Sequence, residues 1–308
     1  MRGRDLLSIT DLSPDELAML LRNALAMKRD GTPPALAGKT VAMLFEKPSL
    51  RTRVSFEVGM KQLGGDAIYL SQAEVGLGQR EPVKDVARVL SRYVAGIVAR
   101  TYAQQTLHEL AASADVPVIN ALSDDEHPCQ ALADLLTVIE HKGRLDGIRL
   151  AYIGDGNNVA ASLAVALAMA GGQFVIASPG GYALTPDVAA AAKGCATKSG
   201  GALEMVTAPE DAVRNADIVY TDVWTSMGQE GSHRARVEAF EAYQVSAELM
   251  ALAKPDAIFM HDLPAHRGEE VTEEVIEGAQ SVVFDQAENR LHAQKALLAA
   301  LMSGETSP

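Results

Sequence analysis

Short apolar runs alternate with amphipathic stretches along almost the whole chain, with glycine, proline and capping residues between them. Ser13-Pro14-Asp15-Glu16 combines a cap, a first-turn proline and two acids, which predicts a helix through about Arg29. The run KTVAMLFE (39–46) predicts a buried strand. Pro48 and Ser49 stop it and begin a helix with apolar positions at Val54, Phe56, Val58, Met60 and Leu63, closed by Gly64-Gly65. DAIYL (66–70), AGIVAR (95–100) and PVINAL (117–122) predict further strands, with a helix from about Val83 to Tyr93 between the first two. Another helix is expected from Pro128 to about His141, its apolar stripe formed by Leu132, Leu135, Leu136 and Ile139. After the charged, glycine-bounded HKGRLDG (141–147), the runs IRLAYIG, QFVIAS, LEMV, DIVYTDV, AIFMHDL and SVVFDQ predict more strands with helices between them. Arg290 is expected to open a final helix whose apolar face (Leu291, Leu297, Leu298, Leu301) docks on a domain. The alternation predicts an α/β fold of two domains, each a parallel sheet with helices on both faces, divided near residues 141–147.

The length of 308 residues suits two domains of about 150 each. Lys and Arg number 27 against 40 Asp and Glu, a formal charge of −13, which argues against nucleic acid or an anionic membrane as partner. Two cysteines, Cys129 and Cys195, build no disulfide framework, so a cytoplasmic protein is expected. No apolar run approaches the roughly 18 residues of a membrane span, and the first residues hold no signal-peptide core.

The stretch FEKPSLRTRVSFEVG (45–59) runs from a strand into a helix start, where backbone N–H groups and the helix dipole converge with hydroxyls and a guanidinium. That arrangement stabilises an oxyanion, phosphate above all; a capped helix with solvated basic residues fits the same spacing. Arg100 ends a strand and could reach an anion or form a strand-end salt bridge. His127 precedes Pro128 at a helix start, where the dipole favours a neutral imidazole able to donate to a carbonyl oxygen; a capping histidine fits as well. GDGNN (154–158) follows a strand, but Val159 stands where the dinucleotide fingerprint needs a third glycine, and QFVIAS ends without an acid for a ribose hydroxyl, so no nucleotide cofactor is expected. Asp222, Ser226 and Met227 begin a loop reaching to about Arg236; they suit an α-amino acid, and the Gly228–Gly231 run suits a lid or a plain surface loop.

Taken jointly, Ser49-Leu50-Arg51-Thr52-Arg53, Arg100 in VARTY, HPCQALADLLT (127–137), GDGNN, DVWTSMG (222–228), HDLPAHRGEEV (261–271) and FDQAENRLHAQKALL (284–298) resemble, in order and over essentially the whole chain, the aspartate/ornithine carbamoyltransferase family. Within it, DVWTSMG looks like the ornithine enzymes. The resemblance implies carbamoyl phosphate and L-ornithine as substrates and L-citrulline and phosphate as products. It implies a carbamoyl-phosphate domain over 1–146, completed by the C-terminal helix 287–308 packing back on it, and an ornithine domain over 147–286. Carried over by motif, Ser49, Leu50 (through its N–H), Arg51, Thr52, Arg100, His127, Gln130, Leu263 and Arg290 bind carbamoyl phosphate. Asn158, Asp222, Ser226, Met227 and Asp262 bind ornithine, and Arg100, His127, Asp222 and Asp262 are catalytic. Both substrates are expected between the domains, which close on the second, and a homotrimer or a multiple of trimers is expected.

Two positions depart from the family pattern. Asp262 stands where the ornithine enzymes usually carry cysteine, which puts a second carboxylate beside Asp222 and makes Asp262 a candidate amine ligand and proton acceptor. Gly76 stands where related chains often place glutamine, with Gln79 close by, in a loop that in the family reaches a neighbouring subunit. His261, Asp262 and His266 invite a metal, but Pro264 keeps the two imidazoles off one continuous helix face, and none is expected. Cys129 reads as packing, since no lysine or second histidine adjoins it. A carbamoyltransferase for another amine and a non-catalytic carbamoyl-phosphate-binding paralogue are the competing functions.

Overall fold

A computed structural model of the chain describes residues 1–226, 228 and 230–303, Glu230 by its backbone only. It divides into two compact units, residues 1–136 with 288–308 and residues 137–287.

The first unit holds a four-stranded parallel sheet of β1 (Thr40–Phe45), β2 (Asp66–Ser71), β3 (Gly96–Arg100) and β4 (Val118–Leu122), in the order β2-β1-β3-β4. Val41 to Phe45 and Gly96 to Arg100 are buried throughout, as expected of strands covered on both faces. Leu44, Ile97, Ala99 and Val118 pack with Leu107 and Leu110 of the helix Gln104–Ser113. The last turns of the chain belong to this unit: Leu297, Leu298 and Leu301 are buried, and Lys295 donates to Thr32 Oγ1 and Gln62 Oε1 at 2.7 Å each.

The second unit holds a five-stranded parallel sheet of β5 (Arg149–Ile153), β6 (Gln173–Ala177), β7 (Ala202–Val206), β8 (Ile218–Thr221) and β9 (Ile258–Met260), in the order β7-β6-β5-β8-β9. Ile153, Val175, Val219 and Phe259 pack with Trp224 and Phe240 in its core. Each sheet therefore has one place where successive connections depart in opposite directions: between β1 and β3 in the first, between β5 and β8 in the second. Open parallel sheets bind ligands at the carboxyl ends of strands flanking such a point.

One predicted strand is absent. SVVFDQ pairs only as a bridge of Ser281 with Phe259, the Val282 N–H donating to Phe259 O at 3.0 Å; the chain then enters the helix Val283–Met302. A short apolar run does not by itself distinguish a strand from the buried first turn of a helix. The final helix thus starts earlier than expected, and Arg290 lies two turns inside it rather than at its start.

Candidate active site

At the switch point of the first sheet, Ser49 caps the helix Leu50–Gln62: its Oγ accepts from the Thr52 N–H at 3.2 Å and donates to Thr52 Oγ1 at 3.0 Å. Leu50 opens the helix with its side chain exposed, and Arg51 follows, half-buried. Thr52 is buried, and its Oγ1 accepts from Arg290 Nη2 at 2.8 Å. Arg290 Nη1 donates to Gln130 Oε1 and lies 3.3 Å from His127 Nε2, so that nitrogen is the acceptor and the imidazole proton sits on Nδ1. Gln130 in turn donates from Nε2 to Asp134 Oδ1 at 2.7 Å. Arg100 ends β3 with only 5% of its surface exposed. Hence Thr52, His127, Gln130 and Arg290, brought together from three separate parts of the chain, form one hydrogen-bonded group.

Burial of the His127 ring, then the charges of Arg290 and Arg100, hold its pKa well below the usual imidazole value. A neutral ring was expected from the helix dipole; the larger causes are burial and two guanidiniums that are distant in sequence. Two buried arginines beside a neutral imidazole form a cationic cluster in a chain of net charge −13, and an oxyanion is the group that such donors fit. Cys129, on the same helix as His127, is buried and donates to Asn120 O at 3.4 Å; burial pushes its thiol up to about 12, so it does not supply a thiolate.

At the switch point of the second sheet, the loop after β5 meets the end of β8. Asp222 is buried; its Oδ2 accepts from Asn157 Nδ2 at 2.7 Å and its Oδ1 from the Val223 N–H at 2.7 Å. Asn157 also caps the helix Asn158–Met169 through Val159 and Ala160. Asn158, the residue singled out from sequence, is the first residue of that helix, while its neighbour Asn157 makes the bond to Asp222. The signal was present: an asparagine before an apolar helix is a standard N-cap. Ser226 lies four residues after Asp222, partly exposed; Met227 lies outside the described residues. The loop's far end is held by Arg236, which donates to Asp155 Oδ2 at 2.6 Å and Trp224 O at 2.8 Å. Burial raises the Asp155 pKa despite the Arg236 charge.

Asp262 follows β9 and places a carboxylate oxygen within 4.8 Å of an Asp222 oxygen and of His261 Nδ1. Those three groups have the donor types for a metal, but His261 Nδ1 already accepts the Leu263 N–H at 2.9 Å, and an imidazole nitrogen has one lone pair. His261 Nε2 therefore carries the proton and faces Glu270 Oε1 at 3.1 Å, both side chains fully buried. Its backbone N–H donates to Gln286 Oε1 at 2.9 Å, which anchors the segment to the start of the final helix. Leu263 adopts a left-handed backbone (φ 59°), rare for a residue with a Cβ. Nothing in the local sequence marks that conformation.

No described helix is long and apolar enough to cross a membrane. The model of the aspartate/ornithine carbamoyltransferase carbamoyl-P binding domain matches residues 4–140, and that of the Asp/Orn binding domain matches residues 146–301. The chain is 54% identical to an ornithine carbamoyltransferase of Bacillus subtilis over 99% of its own length and 96% of the relative's. It is 56% identical to one from Acidothermus cellulolyticus, over 97% of this chain and 96% of the other. Among solved structures, the ornithine carbamoyltransferase from Pyrococcus furiosus superposes with a TM-score of 0.95 at 50% identity, covering 99% of each chain.

Proposed function

The chain belongs to the aspartate/ornithine carbamoyltransferase family, and from that membership we propose that it transfers the carbamoyl group of carbamoyl phosphate to the δ-amino group of L-ornithine, releasing L-citrulline and phosphate. The observation that carries this reading is the buried group of Thr52, His127, Gln130 and Arg290, with Arg100 close enough to act on the His127 charge. It suits a dianionic donor whose carbonyl must be polarised. The acceptor rests on the relatives named ornithine carbamoyltransferase and on the paired carboxylates of Asp222 and Asp262.

Ser49, Thr52, Arg51, Arg290 and the Leu50 N–H hold the phosphate. Arg100 and the Nδ1–H of His127 stabilise negative charge developing on the carbonyl oxygen, the contribution that dominates in acyl transfer. Gln130 Oε1 accepts from Arg290 with one lone pair and has a second for the carbamoyl NH2, which the Leu263 segment also receives. On the other unit, Asn158, Ser226 and Met227 hold the α-amino acid end of ornithine. Asp222 and Asp262 receive the δ-ammonium, and Asp262 takes its proton. The freed amine forms the C–N bond, the C–O bond to phosphate breaks, and the amine's second proton leaves with phosphate. Residues 1–146 with 287–308 are the donor domain in this reading, and 147–286 the acceptor domain.

Leu50, Val54 and Val58 lie four residues apart on one helix and are 76%, 46% and 37% exposed. That apolar stripe supports assembly with further copies, a trimer by family analogy; sedimentation tests it. A cytoplasmic location accords with the free thiols.

Incubation with carbamoyl phosphate and ornithine, read as citrulline and phosphate, tests the activity. Faster turnover of putrescine, lysine or acetylornithine would reassign the acceptor. Donor binding without phosphate release on adding any of these amines would indicate a non-catalytic paralogue.

A further inference from the structure

Beyond the proposed substrate groups, the turn after β9 gathers a second set of polar side chains. His266, Glu269 and Glu270 each place one ligand atom within 4.8 Å of the others. His266 Nδ1 lies 3.7 Å from Glu269 Oε2, and His233 Nε2 lies 3.6 Å from the other oxygen, Oε1. Glu270 is fully buried: Oε1 accepts from the His266 N–H at 2.6 Å and faces His261 Nε2, while Oε2 takes no hydrogen bond among the described residues. Glu269 Oε2 is likewise buried without one. Two buried carboxylate oxygens lacking donors are costly unless a cation faces them.

We infer that His266, Glu269 and Glu270 form a site for a divalent transition metal of zinc's class, with His233 beside it against Glu269. Metal–ligand distances of about 2.0–2.2 Å put tetrahedral ligand atoms about 3.3–3.6 Å apart, so the His266–Glu269 spacing of 3.7 Å nearly fits and the remaining spacings, within 4.8 Å, must close by up to about 1.5 Å on binding. An imidazole nitrogen in the set favours zinc-like ions over calcium or magnesium, which take all-oxygen shells. His266 and Glu269 keep 46% and 31% of their side-chain surface exposed, which gives the ion a way in. The inference does not depend on which amine the enzyme carbamoylates. It has a consequence for the neighbouring loop: His233 Nδ1 is 3.1 Å from Thr225 Oγ1, next to Ser226, so a bound ion ties that loop to the turn. The sequence offered His261, Asp262 and His266 as a metal set and no metal was expected there; the fold commits His261 to Leu263 and Glu270 and leaves His266 to the carboxylates.

The test uses full-length, tag-free protein stripped with a chelator, titrated with Zn2+ by calorimetry and with Co2+ by visible absorption. One ion per chain is expected, bound about tenfold or more weakly by both His266→Ala and Glu269→Gln. Both side chains are partly exposed, and circular dichroism checks that the variants fold. Parental affinity in Asp262→Asn separates this site from the Asp222–His261–Asp262 group. Absence of stoichiometric uptake, or uptake by His266→Ala equal to the parent, overturns the inference.

Discussion

Replacing Arg290 with methionine separates what the buried cationic group gives the fold from what it gives the donor. Arg290 is 3% exposed, donates to Thr52 Oγ1 and Gln130 Oε1, and lies against His127 Nε2. Truncating one partner of a buried, hydrogen-bonded charge pair costs about 2–5 kcal/mol. At about 1.4 kcal/mol per decade, carbamoyl-phosphate affinity and kcat/KM should fall about 30- to 4,000-fold. Without ligand the fold itself is affected. Methionine fills similar volume but leaves the buried Thr52 Oγ1 and Gln130 Oε1 without this donor, a cost of about 1–3 kcal/mol for each, so the melting temperature should fall. In the parent, carbamoyl phosphate at 100 times its Kd adds about 2.7 kcal/mol, or about 5–10 °C in Tm if each unit melts as a domain of its size. The variant at the same concentration should show at most about a third of that shift. Loss of the Arg290 charge should also raise the His127 pKa, readable from its ring proton resonances, although burial remains the larger cause of its depression. A donor-induced Tm shift in Arg290→Met equal to the parent's, or a kcat/KM within threefold, would refute the assignment.

The depressed His127 pKa has a sign that can be measured. Below about pH 6.5 the unfolded chain protonates this ring while the folded chain does not, so stability is lost as pH is lowered through that range, by up to about 1.4 kcal/mol per unit, and is flat above. Urea titrations between pH 5 and 8 should show this slope in the parent and a shallower one in His127→Gln. Cys129, buried with its thiol raised to about 12, should resist a thiol reagent in the native protein while Cys195 reacts; fast labelling of both would contradict that burial. Asp262→Asn keeps the shape but cannot accept a proton, so kcat should fall about 10²–10⁴-fold with the donor Kd unchanged; an unaltered kcat/KM would remove Asp262 from the proton path.

Which parts of this molecule can be read from its sequence depends on how far apart the interacting groups lie. β1, β3 and β5 are legible because both faces of a parallel sheet are covered, which leaves nearly unbroken apolar runs. The cap at Ser49 and the proline at position 128 are legible because capping is a matter of two or three residues. Legibility fails where a long-range partner decides. SVVFDQ has a strand's composition, yet among the described residues only Phe259 bridges it, and the helix takes over at Val283. Asn157 is legible as the N-cap of an apolar helix, but its bond to Asp222 is not, because the end of β8 that supplies this partner lies far along the chain. Gln130 looks like a simple acceptor until Arg290, 160 residues away, takes one of its lone pairs.

The strand orders supply what local patterns lack. In the order β2-β1-β3-β4, the loops after β1 and β3 leave adjacent strands at the same edge, which brings the Ser49–Thr52 helix start beside Arg100. In β7-β6-β5-β8-β9, the loops after β5 and β8 do the same for Asn157 and Asp222, and β9 adds Asp262 alongside. Like charges gathered this way repel, and a ligand of opposite charge relieves that repulsion. The first sheet thus gathers cationic groups at its switch point and the second acidic groups. A dianionic donor and a cationic amine are the charge types that such a division of labour selects.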